Sequence, residues 1–233
     1  MWSKKVIAVL LVLLLSGCAK AETMEKQIRF ALNQAKEDPY PAINQQKQYY
    51  GYYLPPDIGR RKSTLFSEVL VKDGYTIVMN FKSRAVIEAA TSSSQREAQE
   101  VEQEVLKELL GHASYETIEG GYAFSGYYQM LDGFVYPFTC KVLENDADTV
   151  AIALETQYMD GFTIVDRSCA DQYARVMLKM AGALKIEEER LLADFSLYDA
   201  YRNDEESDVQ MRDTFDEEGY LIDFDHRETD TPD

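Results

Sequence analysis

The sequence predicts an α+β domain, an antiparallel sheet of about six or seven strands packed against helices from both ends of the chain. Three observations carry this. Apolar residues recur with period two through Leu65–Phe81 and again through residues 114–166, the mark of half-buried strands. Turn dipeptides punctuate both stretches, most clearly Asp73-Gly74 and Asp132-Gly133. Helical periodicity brackets them, in residues 23–37 near the start and residues 168–184 near the end.

Taking the elements in order, Met24, Ile28, Ala31, Leu32 and Ala35 share one helical face, and Asp38-Pro39-Tyr40-Pro41 stops that helix. Residues 45–63 follow, with Tyr49-Tyr50-Gly51-Tyr52-Tyr53, Leu54-Pro55-Pro56 and the basic triplet Arg60-Arg61-Lys62. Tyr49, Tyr50, Tyr52, Tyr53, Arg60 and Arg61 are candidates for docking a partner, because Tyr and Arg dominate interface hot spots. The plainer alternative has the tyrosines packing one face and the basic triplet pairing with nearby carboxylates.

A hairpin comes next, Leu65–Val71 and Tyr75–Phe81, with Tyr75, Ile77, Met79 and Phe81 on one face. Ser94 and Glu97 form a capping box for a polar surface helix that Gly111 ends. The meander then reads Tyr122–Leu131, Phe134–Leu143, Thr149–Tyr158 and Phe162–Val165, with turns at Glu119-Gly120-Gly121, Asp132-Gly133, residues 145–148 and Asp160-Gly161. Phe134, Tyr136, Phe138, Cys140 and Val142 share a face, and Pro137 puts that strand at an edge or in a bulge. Ser168 with Asp171 is placed to cap an amphipathic helix whose stripe is Tyr173, Val176, Met177, Met180, Ala181 and Leu184. A last helix over about 186–201 offers Leu191, Phe195 and Tyr198.

Beyond Arg202 the composition changes. Residues 202–233 carry thirteen Asp and Glu against three Arg, with Tyr220–Phe224 as a short apolar island. Such a composition predicts a disordered tail.

The N-terminus speaks of location. Lys4 and Lys5 precede an unbroken apolar run of ten residues, Val6–Leu15, too short for a spanning helix of about 20 residues but fitting a signal peptide. Leu15-Ser16-Gly17-Cys18 then resembles the lipobox of bacterial lipoproteins. That resemblance implies cleavage before Cys18, lipidation of its thiol and anchoring to the extracytoplasmic face of the cell membrane. Two or more acyl chains hold stably where one holds reversibly. The domain organisation is therefore 1–17 signal peptide, 18–201 folded domain and 202–233 tail.

Charge and residue usage exclude several classes. The chain carries 41 acidic and 24 basic side chains, a formal charge of −17, which becomes −19 once Lys4 and Lys5 leave with the signal peptide. Nucleic acid is not expected as a partner, since phosphate contacts need clustered Lys and Arg. The two histidines, His112 and His226, lie at a helix end and in the acidic tail. No Ser-His-acid set, Gly-x-Ser-x-Gly or phosphate-binding glycine loop occurs, and no cysteine–histidine cluster suits zinc. The acidic residues 213–219 lack EF-hand ligand spacing. The expectation is a protein without enzymatic activity, metal or cofactor. Cys140 and Cys169 are an even pair in an exported domain, open to a disulfide or to two free buried thiols.

The order helix, hairpin, helix, meander, helix resembles the PsbP-like fold of several small exported lipoproteins, which implies a binding or accessory role. Tyr49–Thr64 with the following hairpin resembles small lipoproteins of Gram-positive bacteria linked to type VII secretion. The reading is a membrane-anchored accessory lipoprotein that docks a protein partner at the membrane surface. The alternative is a small-ligand-binding lipoprotein with a pocket lined by aromatics of the meander.

Overall fold

A computed structural model describes residues 23–37, 41–91, 103, 105–110 and 113–195. Cys18, the residues around Ser94 and Glu97, Gly111, both histidines, Tyr198 and the tail lie outside the described residues. The described chain is α+β, with an antiparallel eight-stranded sheet and a separate three-stranded sheet. The eight strands of the main sheet alone exceed the six or seven expected, because residues 45–63 contribute strands whose polar, tyrosine-rich sequence shows no period-two pattern.

Helix α1, Met24–Glu37, buries Ile28, Ala31, Leu32 and Ala35, the face its spacing predicts. Strands β1 (Gln45–Gln46) and β2 (Tyr50–Tyr52) pair with the late strand β11 (Lys185–Ile186) in the order β1-β2-β11. The main sheet begins with β3 (Gly59–Ser63), β4 (Ser67–Lys72) and β5 (Tyr75–Phe81). Asp73 and Gly74 both take positive φ, 51° and 88°, the geometry of the two-residue turn the sequence predicts.

Helix α2, Ser83–Thr91, leads the chain away. A helical stretch at residues 103 and 105–108 follows. The chain then enters at the far edge as β6 (Ser114–Ile118) and meanders back through β7 (Gly121–Gln129), β8 (Val135–Glu144) and β9 (Thr149–Thr156). Strand β10 (Met159–Asp166) closes the sheet by pairing with β5, giving the order β3-β4-β5-β10-β9-β8-β7-β6.

Asp160 and Gly161, expected in a turn, are instead paired residues of β10; the turn falls at residues 157–158. The glycine serves close packing. A Cβ at Gly161 would come within 2.9 Å of the sulfurs of Met177 and Met79, where the following helix crosses the sheet. Pro137 lies opposite Tyr127 of β7, one residue beyond Phe138, where the ladder with β9 begins. Its missing N–H therefore costs no described partner.

Helix α3, Ala170–Gly182, buries Tyr173, Met177, Met180 and Ala181 and packs on β9, β10 and α1. The expected Ser168 cap is not used. A 3₁₀ turn, Arg167–Cys169, precedes the helix, and Cys169 at the N-cap makes no side-chain cap bond. Helix α4, Glu188–Asp194, is shorter than the helix expected there and rests against α2. Helices α1 and α3 and the small sheet thus share one face of the main sheet. Between them lies the core, in which Tyr136, Phe138, Cys140 and Val142 are buried as predicted while Phe134 is exposed.

Cys140 and Cys169 are both free thiols, so the disulfide left open by the sequence is not formed. Cys140 lies opposite Leu154, whereas Asp166, just before the 3₁₀ turn, lies opposite Thr149. Leu154 and Thr149 are about 17 Å apart at ~3.4 Å per strand residue. A disulfide needs Cα atoms within about 4.4–6.8 Å.

Candidate functional site

The tyrosine strip is core, not surface. Tyr49, Tyr50 and Tyr52 are at most 3% exposed. Tyr50 stacks on Phe81 at 4.5 Å between centroids, and Tyr49 stacks on Phe66 at 5.7 Å. These three cannot form a docking surface, which corrects that reading. The cause is the small sheet, which lays β2 over the aromatic end of β4 and β5. Tyr53 is half-buried, while Arg60 and Arg61 stand on the exposed strand β3.

Arg60 is tied to a buried carboxylate. Glu68, on the core-facing side of β4, is 1% exposed. Its oxygens lie 2.9 Å from Lys47 Nζ and 3.0 Å from Arg60 Nε, and the Ser63 hydroxyl donates to it at 3.0 Å. Arg60 also donates to the Tyr52 hydroxyl at 2.9 Å and to Gln45 at 2.8 Å. Burial pushes the Tyr52 phenol up to about 12, despite the guanidinium beside it. Burial also lowers the Lys47 ammonium, against the pull of Glu68. The cluster locks the small sheet to the large one, with every one of its charges engaged within the fold.

A cavity of about 550 Å³ lies elsewhere, at the end of the main sheet where α2, the β7–β8 turn, the β9–β10 turn and the segment between α3 and α4 converge. That volume falls in the range of small-molecule sites, about 300–1,000 Å³. Helix α2 contributes Val86, Ala89 and Ala90, the α3–α4 segment contributes Leu184, Lys185 and Ile186, and α4 contributes Glu188.

The two turns supply the distinctive side chains. In the β7–β8 turn, Gly133 takes φ 86° and Asp132 Oδ1 accepts the Phe134 N–H at 2.8 Å, fixing residues 131–134 over the opening. Gln103 pins the start of β8 by accepting the Val135 N–H at 2.5 Å and donating to the Val135 carbonyl at 3.1 Å. In the β9–β10 turn, Thr156 Oγ1 donates to the Met159 carbonyl at 2.5 Å and accepts its N–H at 3.1 Å. Lys82 N–H holds the Tyr158 carbonyl at 2.9 Å. Tyr136 and Tyr158 consequently meet edge to face at 5.2 Å on the cavity wall, an arrangement that contributes about 0.5–1.5 kcal/mol beyond area burial.

Asp132 is the polar mark of this wall. Its Oδ2 accepts the Tyr136 hydroxyl at 3.3 Å. The residue keeps solvent contact, yet the protein packed against its carboxyl raises its pKa above the usual value. Burial, with Tyr158 and Asp132 adding to it, holds the Tyr136 phenol far above its ordinary range. Lys185 is turned to Glu187 Oε1 at 2.7 Å.

A smaller hollow of about 220 Å³ lies on the opposite face of the sheet, among Thr139, Lys141, Glu155, Asp160 and Phe162. Burial pushes Asp160 up to about 6, opposed by Lys82 at 3.4 Å. Among the described residues no three His, Cys, Asp or Glu side chains come together as metal ligands, and no helix is long and apolar enough to cross a membrane.

The molecule is thus defined as an α+β domain with an aromatic cavity at the end of its sheet. No family model and no curated protein matches the sequence. Among solved structures, a protein from Bacteroides thetaiotaomicron VPI-5482, crystallised at 1.50 Å, is similar over 64% of this chain at 11% identity with a TM-score of 0.28. The chain spans about half of that protein, 49% of its length. A likeness this faint says nothing of function.

Proposed function

We propose that this chain is a lipid-anchored extracytoplasmic protein, without catalysis, that binds a small, largely apolar molecule in the cavity between α2 and the two turns. The observation that supports it most is the pair Tyr136 and Tyr158 facing a volume of about 550 Å³ beside Asp132. Aromatic walls with a few placed polar groups characterise small-molecule sites. Location rests on the lipobox resemblance at Leu15–Cys18. The role agrees in class with the PsbP-like resemblance, which implies binding rather than chemistry.

Native mass spectrometry of the protein extracted gently from its membranes tests this. A mass excess above the acylated chain, lost on denaturation and missing in Ala89→Phe, is expected. A bare chain that co-purifies with a protein partner would overturn it.

A second reading has one observation behind it. Strand β3 forms one edge of the main sheet as described, and all five of its residues are exposed, Arg60, Arg61 and Lys62 among them. A protein partner docking at the membrane surface would use this edge with Tyr53, not the buried tyrosines. Charge reversal at Arg61 and Lys62 would abolish such a complex and leave the cavity ligand in place.

A further inference from the structure

The cavity's charges discriminate between ligand classes, an inference that rests on the cavity being a binding site. Two carboxylates, Asp132 and Glu188, belong to its wall. Among the described residues of the wall the one cation, Lys185, is engaged by Glu187 at 2.7 Å. Asp132 accepts from the Phe134 N–H and the Tyr136 hydroxyl, and no ammonium or guanidinium among the described residues pairs with it. Asp132 therefore presents an exposed carboxylate at the cavity mouth, held in place by two neutral donors and carrying a full negative charge. Beside it stand the rings of Tyr136, Tyr158 and Phe134, whose π faces attract cations.

Each ligand class meets this wall differently. An anion entering would face the Asp132 carboxylate, with no uncommitted cation among the described wall residues to receive it. A neutral apolar molecule would displace water from Asp132 and return nothing. An organic cation compensates the carboxylate and meets the aromatic wall at once, and the chain's excess of acidic over basic side chains draws it in. We propose that the ligand is an amphipathic organic ammonium compound, its cationic head between Asp132 and the tyrosine rings and its apolar body against Val86, Ala89 and Leu184.

The test uses the intact lipidated protein in amphipol and three probes of one shape: 4-phenylbutylammonium, 4-phenylbutan-1-ol and 4-phenylbutanoate, titrated at pH 7.5 by calorimetry. The ammonium should bind at least tenfold more tightly than either of the others. Asp132→Asn, which retains the acceptor for the Phe134 N–H, should cut that preference to below threefold while binding the alcohol unchanged. Tyr158→Leu should weaken the ammonium more than the alcohol. If the alcohol or the carboxylate binds wild type as tightly as the ammonium, and Ala89→Phe blocks it, the ammonium assignment falls and the cavity stands. If no probe binds in a manner that Ala89→Phe blocks, both fall. A melting curve on each variant separates loss of binding from loss of fold.

Discussion

Replacing Glu68 with Gln strands two cations whose one compensating carboxylate among the described residues is removed. The carboxylate is buried, with Lys47 at 2.9 Å and Arg60 at 3.0 Å, and the cationic side chains are 13% and 37% exposed. At an effective dielectric constant of 20 each contact is worth ~5 kcal/mol of gross attraction, most of it cancelled by the desolvation of the three groups. The measurable quantity is therefore the cost of breaking the cluster, about 3–5 kcal/mol for a buried pair. The low end, ~3 kcal/mol, applies here because Lys47 and Arg60 can reach water. In urea, with a slope of ~2 kcal/mol per molar, the midpoint should drop by about 1.5 M at unchanged slope. The triple change Lys47→Met, Arg60→Met and Glu68→Met should recover most of that loss, since apolar replacements of a buried ion cluster are often neutral. A loss below about 1 kcal/mol in Glu68→Gln would show that the cluster does not join the two sheets as described.

Cys140 and Cys169 should both titrate as free thiols in denaturant and resist labelling in the native protein. Burial pushes Cys140 up to about 12, and burial with Asp166 and Asp171 nearby raises Cys169; a two-proton mass deficit in the unreduced chain would refute this. Asp160 has its folded pKa raised from 3.8 to about 6. The folded state therefore holds a proton that the unfolded state has released between about pH 4 and 6, so this group makes stability fall as pH rises through that window. Asp160→Asn should remove that fall, about 1–3 kcal/mol by urea melts at pH 4 and 7; an unchanged pH slope would count against the burial of this carboxyl. Cys18→Ala should leave the protein released or unprocessed in membrane fractionation, and acylation persisting in that variant would refute the anchor.

The fold was legible wherever periodicity and turn chemistry agree. The stripe from Tyr173 to Leu184, the face of α1 and the Asp73-Gly74 hairpin are all present as the sequence implies, because each packs one face against a single core. Strands β1 to β3 escaped because their pattern reflects long-range packing: Tyr50 is buried by stacking on Phe81, and the exposed Arg60 is held by its ties to Glu68 and Tyr52, partners that local spacing does not reveal. Gly161 misled for a related reason. A glycine after Asp reads as a turn locally, while here it admits Met177 and Met79. The cavity was half legible. Aromatic residues of the meander suggested a pocket, but Asp132, Tyr136 and Tyr158 meet only because two turns from different hairpins and α2 converge. The one local sign was an aromatic residue flanking each turn.

The cavity reading is tested most directly by returning to the protein whatever small molecule its native complex releases. At about 100 times its dissociation constant, that molecule should raise the unfolding free energy of wild type by about 2.7 kcal/mol. It should leave Ala89→Phe, in which the ring fills the space beside Tyr136 and Tyr158, unchanged. An equal rise in both proteins, or none in wild type, would contradict the assignment of this cavity as the binding site.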